Sequence, residues 1–162
     1  ILREDLSANR TALGFSHTTG YILYFKSNKE SNHVMAQENQ VTPEFLASFT
    51  QAWNDKDIDA LMSHMADDCV FMASVGLETE GALWTGTEKV REGFASLWIG
   101  YPDAHFEAIG EDIILGDRGC SEWIFTGTRK TDGTKVKARG CDVYTFKDGK
   151  ILIKNSMRKQ KP

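Results

Sequence analysis

The last third of the chain carries the strongest constraint on its fold. From residue 104 onward apolar residues recur with a period of two in four runs, at 104–115, 119–129, 134–146 and 150–158. That period belongs to strands with one buried face. Between the runs stand Gly116-Asp117, Thr131-Asp132-Gly133 and Asp148-Gly149. Asp-Gly between apolar runs is the strongest short-range hairpin signal, because both turn positions need a positive φ. Four consecutive strands joined by tight turns form an antiparallel meander, and another layer has to cover its apolar face.

The segment before the meander supplies that layer. Thr42 suits a helix N-cap, Pro43 the first helical position and Glu44 the positive helix end. Phe45, Leu46, Phe49 and Trp53 follow at helical spacing. A second, short helix is expected from Asp57, with Ile58, Leu61, Met62 and Met65 on one face and Asp67-Asp68 closing it. Residues 69–73 read as a buried strand, and 75–86 as a loop with a short strand around Leu83-Trp84. A third helix is expected over Thr87 to Trp98, with Val90, Phe94 and Leu97 in register, ended by Tyr101-Pro102-Asp103. The order predicts an α+β fold in which three N-terminal helices pack on one face of a curved antiparallel sheet. Residues 1–41 show weak periodicity and are rich in Ser, Thr and Asn. They read as a weakly structured arm with one short strand at 21–25, which leaves 42–162 as the domain.

Composition narrows the class of function. With 41% hydrophobic and 26% charged residues, collagen-like, low-complexity and disulfide-scaffold chains are excluded. No apolar run approaches the ~20 residues that span a bilayer, and the stretch 21–25 is too short for a signal-peptide core. A cytoplasmic protein without a membrane partner is the expectation. Cys69, Cys120 and Cys141 are odd in number and widely spaced, as free thiols in a reducing compartment would be. The net charge of −4 hides a split. Residues 1–117 hold 7 basic and 19 acidic residues (−12), and residues 118–162 hold 12 basic and 4 acidic (+8). Mutual neutralisation of the two halves is the favoured reading of this split. No aromatic motif accompanies the basic segment, so nucleic acid is not expected as a partner. The histidines, His17, His33, His64 and His105, form no metal-binding spacing. A phosphate loop, a dinucleotide fingerprint and a Gly-x-Ser-x-Gly elbow are all missing, so neither metal nor cofactor is expected.

The candidate chemistry comes from strand faces. In the strand 134–146, Val136, Ala138, Gly140, Asp142, Tyr144 and Phe146 share one face. Asp142 is the charged member of an otherwise apolar set, and a carboxylate there is costly unless paired, hydrated or protonated. In the next strand the same alternation groups Ile151, Ile153, Asn155 and Met157. Two polar groups on adjacent inward faces suggest a wet or ligand-filled pocket. In the strand 119–129, Trp123 and Phe125 are expected inward, which sends Glu122 outward toward Lys137 or Arg139. Desolvation raises the pKa of a carboxylate in an apolar pocket and suits it to general acid/base work. Asp142 is therefore either that acid/base or a structural Asp bonded to Asn155 or a backbone N–H. His105 is a second acid/base or a surface histidine. Tyr144 is an oxyanion donor or a core residue. Trp53, Trp84, Trp98 and Trp123 offer flat walls for a polycyclic ligand, or are core or dimer contacts. Phe71, Phe125 and Asn155 complete the candidate pocket.

The run from Arg139 to Ile151, Arg-Gly-Cys-Asp-Val-Tyr-Thr-Phe-Lys-Asp-Gly-Lys-Ile, resembles the last hairpin of SnoaL-like polyketide cyclases, members of the nuclear transport factor 2-like superfamily. Three further pieces agree. They are Phe49 to Trp53 followed by Asn54-Asp55-Lys56-Asp57, Tyr101-Pro102-Asp103-Ala104-His105-Phe106, and Glu122-Trp123 followed by Thr126-Gly127-Thr128. The resemblance covers about residues 42–159. It implies a cone, with a curved sheet wrapped around three helices, an apolar pocket and frequent dimerisation through the outer sheet face. It also implies a pocket Asp as acid/base, at Asp142. Such cyclases often carry a Gly-Thr-His segment, where this chain has Gly127-Thr128-Arg129. The expected function is a pocket protein for a small hydrophobic or polycyclic molecule, acting as an isomerase, cyclase or lyase. The alternative is a non-catalytic binding or dimeric interaction module of the same fold.

Overall fold

The computed structural model describes residues 40–160. The arm expected over 1–41, with its strand at 21–25, lies almost wholly outside the described residues. Helix α1 spans Pro43–Asp55 and starts as its sequence indicates, with Thr42 Oγ1 accepting from the Phe45 N–H at 3.3 Å and Pro43 inside the first turn. It ends where Lys56 turns left-handed at φ 57°. Helix α2 spans Ile58–Ser63, and the Asp57 carboxylate caps it by accepting from the Asp59 and Ala60 N–H groups at 3.1 and 2.9 Å. Helix α3 spans Thr87–Gly100.

The strands are β1 (Met65–Met72), β2 (Leu83–Thr85), β3 (His105–Leu115), β4 (Arg118–Thr128), β5 (Lys135–Lys147) and β6 (Lys150–Arg158). Asp67 and Asp68 belong to β1 and do not close α2, because the chain turns extended directly after His64. The six strands form one curved sheet in the order β2-β1-β6-β5-β4-β3. The sheet is mixed. The meander β3–β6 is antiparallel as expected, but β1 lies parallel to β6, with Phe71 opposite Lys154. A pairing of strands so far apart in the chain leaves no turn signal behind it.

The three helices bury their apolar stripes against the sheet. Leu46, Phe49 and Trp53 of α1, Leu61 of α2, and Val90 and Phe94 of α3 share one core with Cys69 and Phe71 of β1, Tyr144 and Phe146 of β5, and Ile151 of β6. One side chain locks the end of α1 to the start of β3. The Asn54 amide donates to the Phe106 carbonyl at 2.9 Å and accepts from the Phe106 N–H at 2.8 Å. Asp103 performs a similar task nearby, accepting from the Thr128 N–H at 2.6 Å and from its hydroxyl at 2.7 Å. These bonds favour the charged form and hold the Asp103 carboxyl below its usual range, the Thr128 backbone bond first. A depressed folded pKa stabilises the fold above the unfolded pKa, and that contribution is lost as pH falls through the folded value. In an NMR titration Asp103 should therefore titrate below an ordinary Asp, and Asp103→Asn should flatten the acid limb of the stability–pH curve. An ordinary Asp103 midpoint would contradict this.

Candidate functional site

Strand β5 places Asp142 where its alternation indicates, on the face turned to the helices, with the residue 6% exposed. Its neighbours in register are Ser121 on β4 and Ser156 on β6. Gly140, two residues earlier, pairs with Trp123. A Cβ on Gly140 would stand 2.2 Å from the Trp123 ring, so only glycine lets the indole lie flat across β5. In that position the Trp123 Nε1 donates to Asp142 Oδ2 at 3.0 Å, and the Tyr144 hydroxyl donates to the same oxygen at 3.3 Å. On the other side, Lys154 Nζ donates to Oδ1 at 2.7 Å and the Ser156 hydroxyl donates to it at 2.6 Å. Four donors fill the roughly four acceptor positions of a carboxylate.

Lys154 was not foreseen as a site residue. Strict alternation would have grouped Ile151, Ile153, Asn155 and Met157 on the inner face. The β5–β6 register instead shifts by one residue, from Phe146 opposite Ile151 to Thr145 opposite Ile153. Leu152 is the extra residue of a bulge. Beyond it the faces exchange, so Lys154 and Ser156 are buried while Asn155 is half-buried opposite Val143 and Met157 is exposed. The expected Asp142–Asn155 partnership is thereby corrected to Asp142–Lys154. Lys154 is 4% exposed, and its ammonium also lies 5.1 Å from the Phe71 ring centre and 5.5 Å from that of Trp53. It donates a second hydrogen bond to Ser156 Oγ at 2.7 Å. An ammonium has three donors, so one N–H has no acceptor among the described residues.

Beside this cluster lies a cavity of about 230 Å³. Trp53, Phe71, Trp84, Phe106, Trp123 and Phe125 line it, together with Lys154, Ser156 and Arg158. Asp142 is not on the wall; Lys154 and Ser156, which bond it, are. Tyr144 is fully buried and bonds Asp142 without lining the cavity. Burial first, and the Asp142 charge second, push its phenol well above the usual range. Trp98 packs on Trp53 with ring centres 5.6 Å apart and is not among the lining residues. His105 opens β3 opposite Thr126 and is exposed, so the structure does not bring it to Asp142. The expected outward course of Glu122 is seen: its carboxylate meets Arg139 at 2.9 Å on the other face of the sheet.

The comparisons with known proteins bear on the fold. The family model described as SnoaL-like domain matches residues 46–153. No curated protein matches the sequence at a significant level. Among solved structures, a hypothetical protein of ketosteroid isomerase-like fold from Catenulispora acidiphila, in complex with trimethylamine, is similar. It is 19% identical over 74% of this chain and 87% of its own, with TM-score 0.62. A candidate polyketide cyclase from Xanthomonas campestris pv. campestris is 16% identical over 70% of this chain and 87% of its own, with TM-score 0.61. TerC, co-crystallised with polyporic acid, is 20% identical over 73% of this chain and 92% of its own, with TM-score 0.61.

Proposed function

The chain belongs to the SnoaL-like domain family, and from that premise we propose that its cavity takes a flat, conjugated carbonyl compound and enolises it, the proton-abstraction step of a carbonyl isomerase, cyclase or lyase. The observation that carries this reading is the buried Lys154–Asp142 pair set into an aromatic wall. The free N–H of Lys154 stabilises negative charge growing on a ligand oxygen, beside the Trp53 and Phe71 rings that flank the ammonium. Asp142 is the proton acceptor of the pair, reached through Ser156, whose Oγ takes the ligand proton as its own hydrogen passes along the 2.6 Å bond to Asp142 Oδ1. The aromatic rings orient the ligand plane. Co-crystallisation of TerC with polyporic acid is in keeping with a ligand of this class.

The test uses 2-tetralone, a flat enolisable ketone, in D2O. The protein should accelerate exchange of the C1 protons, with the proton passing to Asp142 and deuterium returning from solvent. Asp142→Asn should lower that rate by about 100-fold or more. Full exchange in Asp142→Asn, or none above buffer in the unmodified protein, would remove Asp142 or catalysis from the reading. One observation favours a second reading, a binding protein without turnover: all four acceptor positions of Asp142 are already filled. In that case 2-tetralone quenches the cavity tryptophans and exchanges at the buffer rate.

A further inference from the structure

Both charged side chains on the cavity wall are cations, Lys154, which is paired with Asp142 behind the wall, and Arg158; no Asp or Glu among the described residues lines it. Arg158 and Tyr101 also line an adjoining groove of about 460 Å³, shared with Lys135, Lys137 and Lys159 and again without a carboxylate among the described residues. The other two cations of that groove are occupied, Arg129 by Asp132 and Arg139 by Glu122, each at 2.9 Å. Among the described residues Lys135, Lys137, Arg158 and Lys159 have no ion-pair partner. Arg158 is placed on the wall by Phe125, whose ring centre is 5.4 Å from the guanidinium carbon. A space lined by one sign of charge beside low-dielectric walls concentrates the opposite charge.

We propose that the natural ligand is an aromatic acid, whose carboxylate is held by Arg158 where the cavity meets the basic groove while its other end reaches Lys154. Strand β6 sets the length of this ligand. Lys154, Ser156 and Arg158 stand on one face, and four residues of strand separate the two cations by roughly 13 Å of backbone. A ligand spanning that length has two or three fused rings, with an oxygen at one end and a carboxylate at the other. A guanidinium donates two parallel bonds to a carboxylate, which an ammonium cannot, so Arg158 is the specificity determinant of the pair. The inference rests on the cavity reading above and adds the charge and length of what fills it.

The test compares 6-hydroxy-2-naphthoic acid with its methyl ester, read by quenching of the cavity tryptophans. The acid should bind about tenfold or more tightly than the ester, and added NaCl should narrow the gap. In Arg158→Gln the two ligands should bind alike, and Arg158→Lys should recover part of the preference. Equal binding of acid and ester to the unmodified protein overturns the inference and leaves the cavity reading standing. A preference that survives in Arg158→Gln, in protein with an unchanged circular dichroism spectrum, overturns the role of Arg158. If neither compound quenches, both the inference and the cavity reading fall.

Discussion

Replacing Lys154 with Met lowers the unfolding free energy by about 3–5 kcal/mol, the usual consequence of removing one partner of a buried ion pair. The two side chains are 6% and 8% exposed and meet at 2.7 Å. Methionine fills a similar volume and keeps the contact with Trp53 and Phe71, so the loss comes from Asp142, left charged beside a thioether. The Ser156, Trp123 and Tyr144 donors remain, but they supply no compensating charge. The double variant Lys154→Met with Asp142→Asn should regain much of the loss, because no net charge is then stranded. Urea unfolding at unchanged m-value reads both quantities. A double variant as unstable as the sum of the two singles would show that the pair does not act as a unit.

Phe94→Ala is expected to cost a similar amount, about 3–5 kcal/mol, through the void it leaves. Phe94 is 0% exposed, and its ring centre lies 4.8, 4.9 and 6.2 Å from those of Trp53, Phe71 and Phe49. Three rings, two on helix α1 and one on strand β1, therefore lose a neighbour together, and helix α3 loses an anchor in the core. Trp53 and Phe71 also form the cavity wall and flank the Lys154 ammonium. The variant should therefore loosen ligand binding as well as stability. Urea unfolding and 2-tetralone quenching on the same sample check the two effects. A stability loss under 1 kcal/mol would mean that the core collapses around the missing ring.

The features legible in the sequence were those written in local periods. The caps at Thr42 and Asp57, the three helices, the meander and the inward face of β5 with Asp142 all follow from spacing and turn residues a few positions apart. The parallel β1–β6 pairing was not legible, since it joins Phe71 to Lys154 across the whole meander. Lys154 was missed for a smaller reason. One bulge residue exchanged the faces of β6, and alternation carries no record of such a shift. Two signals were nonetheless present. Ile151, Leu152 and Ile153 are three apolar residues in a row, which breaks strict alternation. A carboxylate on the buried face of β5 also requires a cation, and the neighbouring strand offers two equally near its register, Lys154 and Arg158, each two residues from Ser156. His105 belongs to the opposite case, a residue with suitable chemistry whose strand presents it to solvent.

The place of β6 in the sheet has a consequence for how the protein forms. It is the last strand in chain order among the described elements, yet it lies third in the sheet, between β1 and β5. During synthesis β3, β4 and β5 can pair as they emerge, but β1 has no partner in the meander until β6 is released. Contacts of such long sequence separation close slowly, since loop entropy is spent before they form. The Lys154–Asp142 pair, only twelve residues apart in the β5–β6 hairpin, can form with that hairpin, ahead of the slower β1–β6 seam. Until β6 is released, β5 keeps an unpaired edge, and its buried-face carboxylate Asp142 has no Lys154 to meet it.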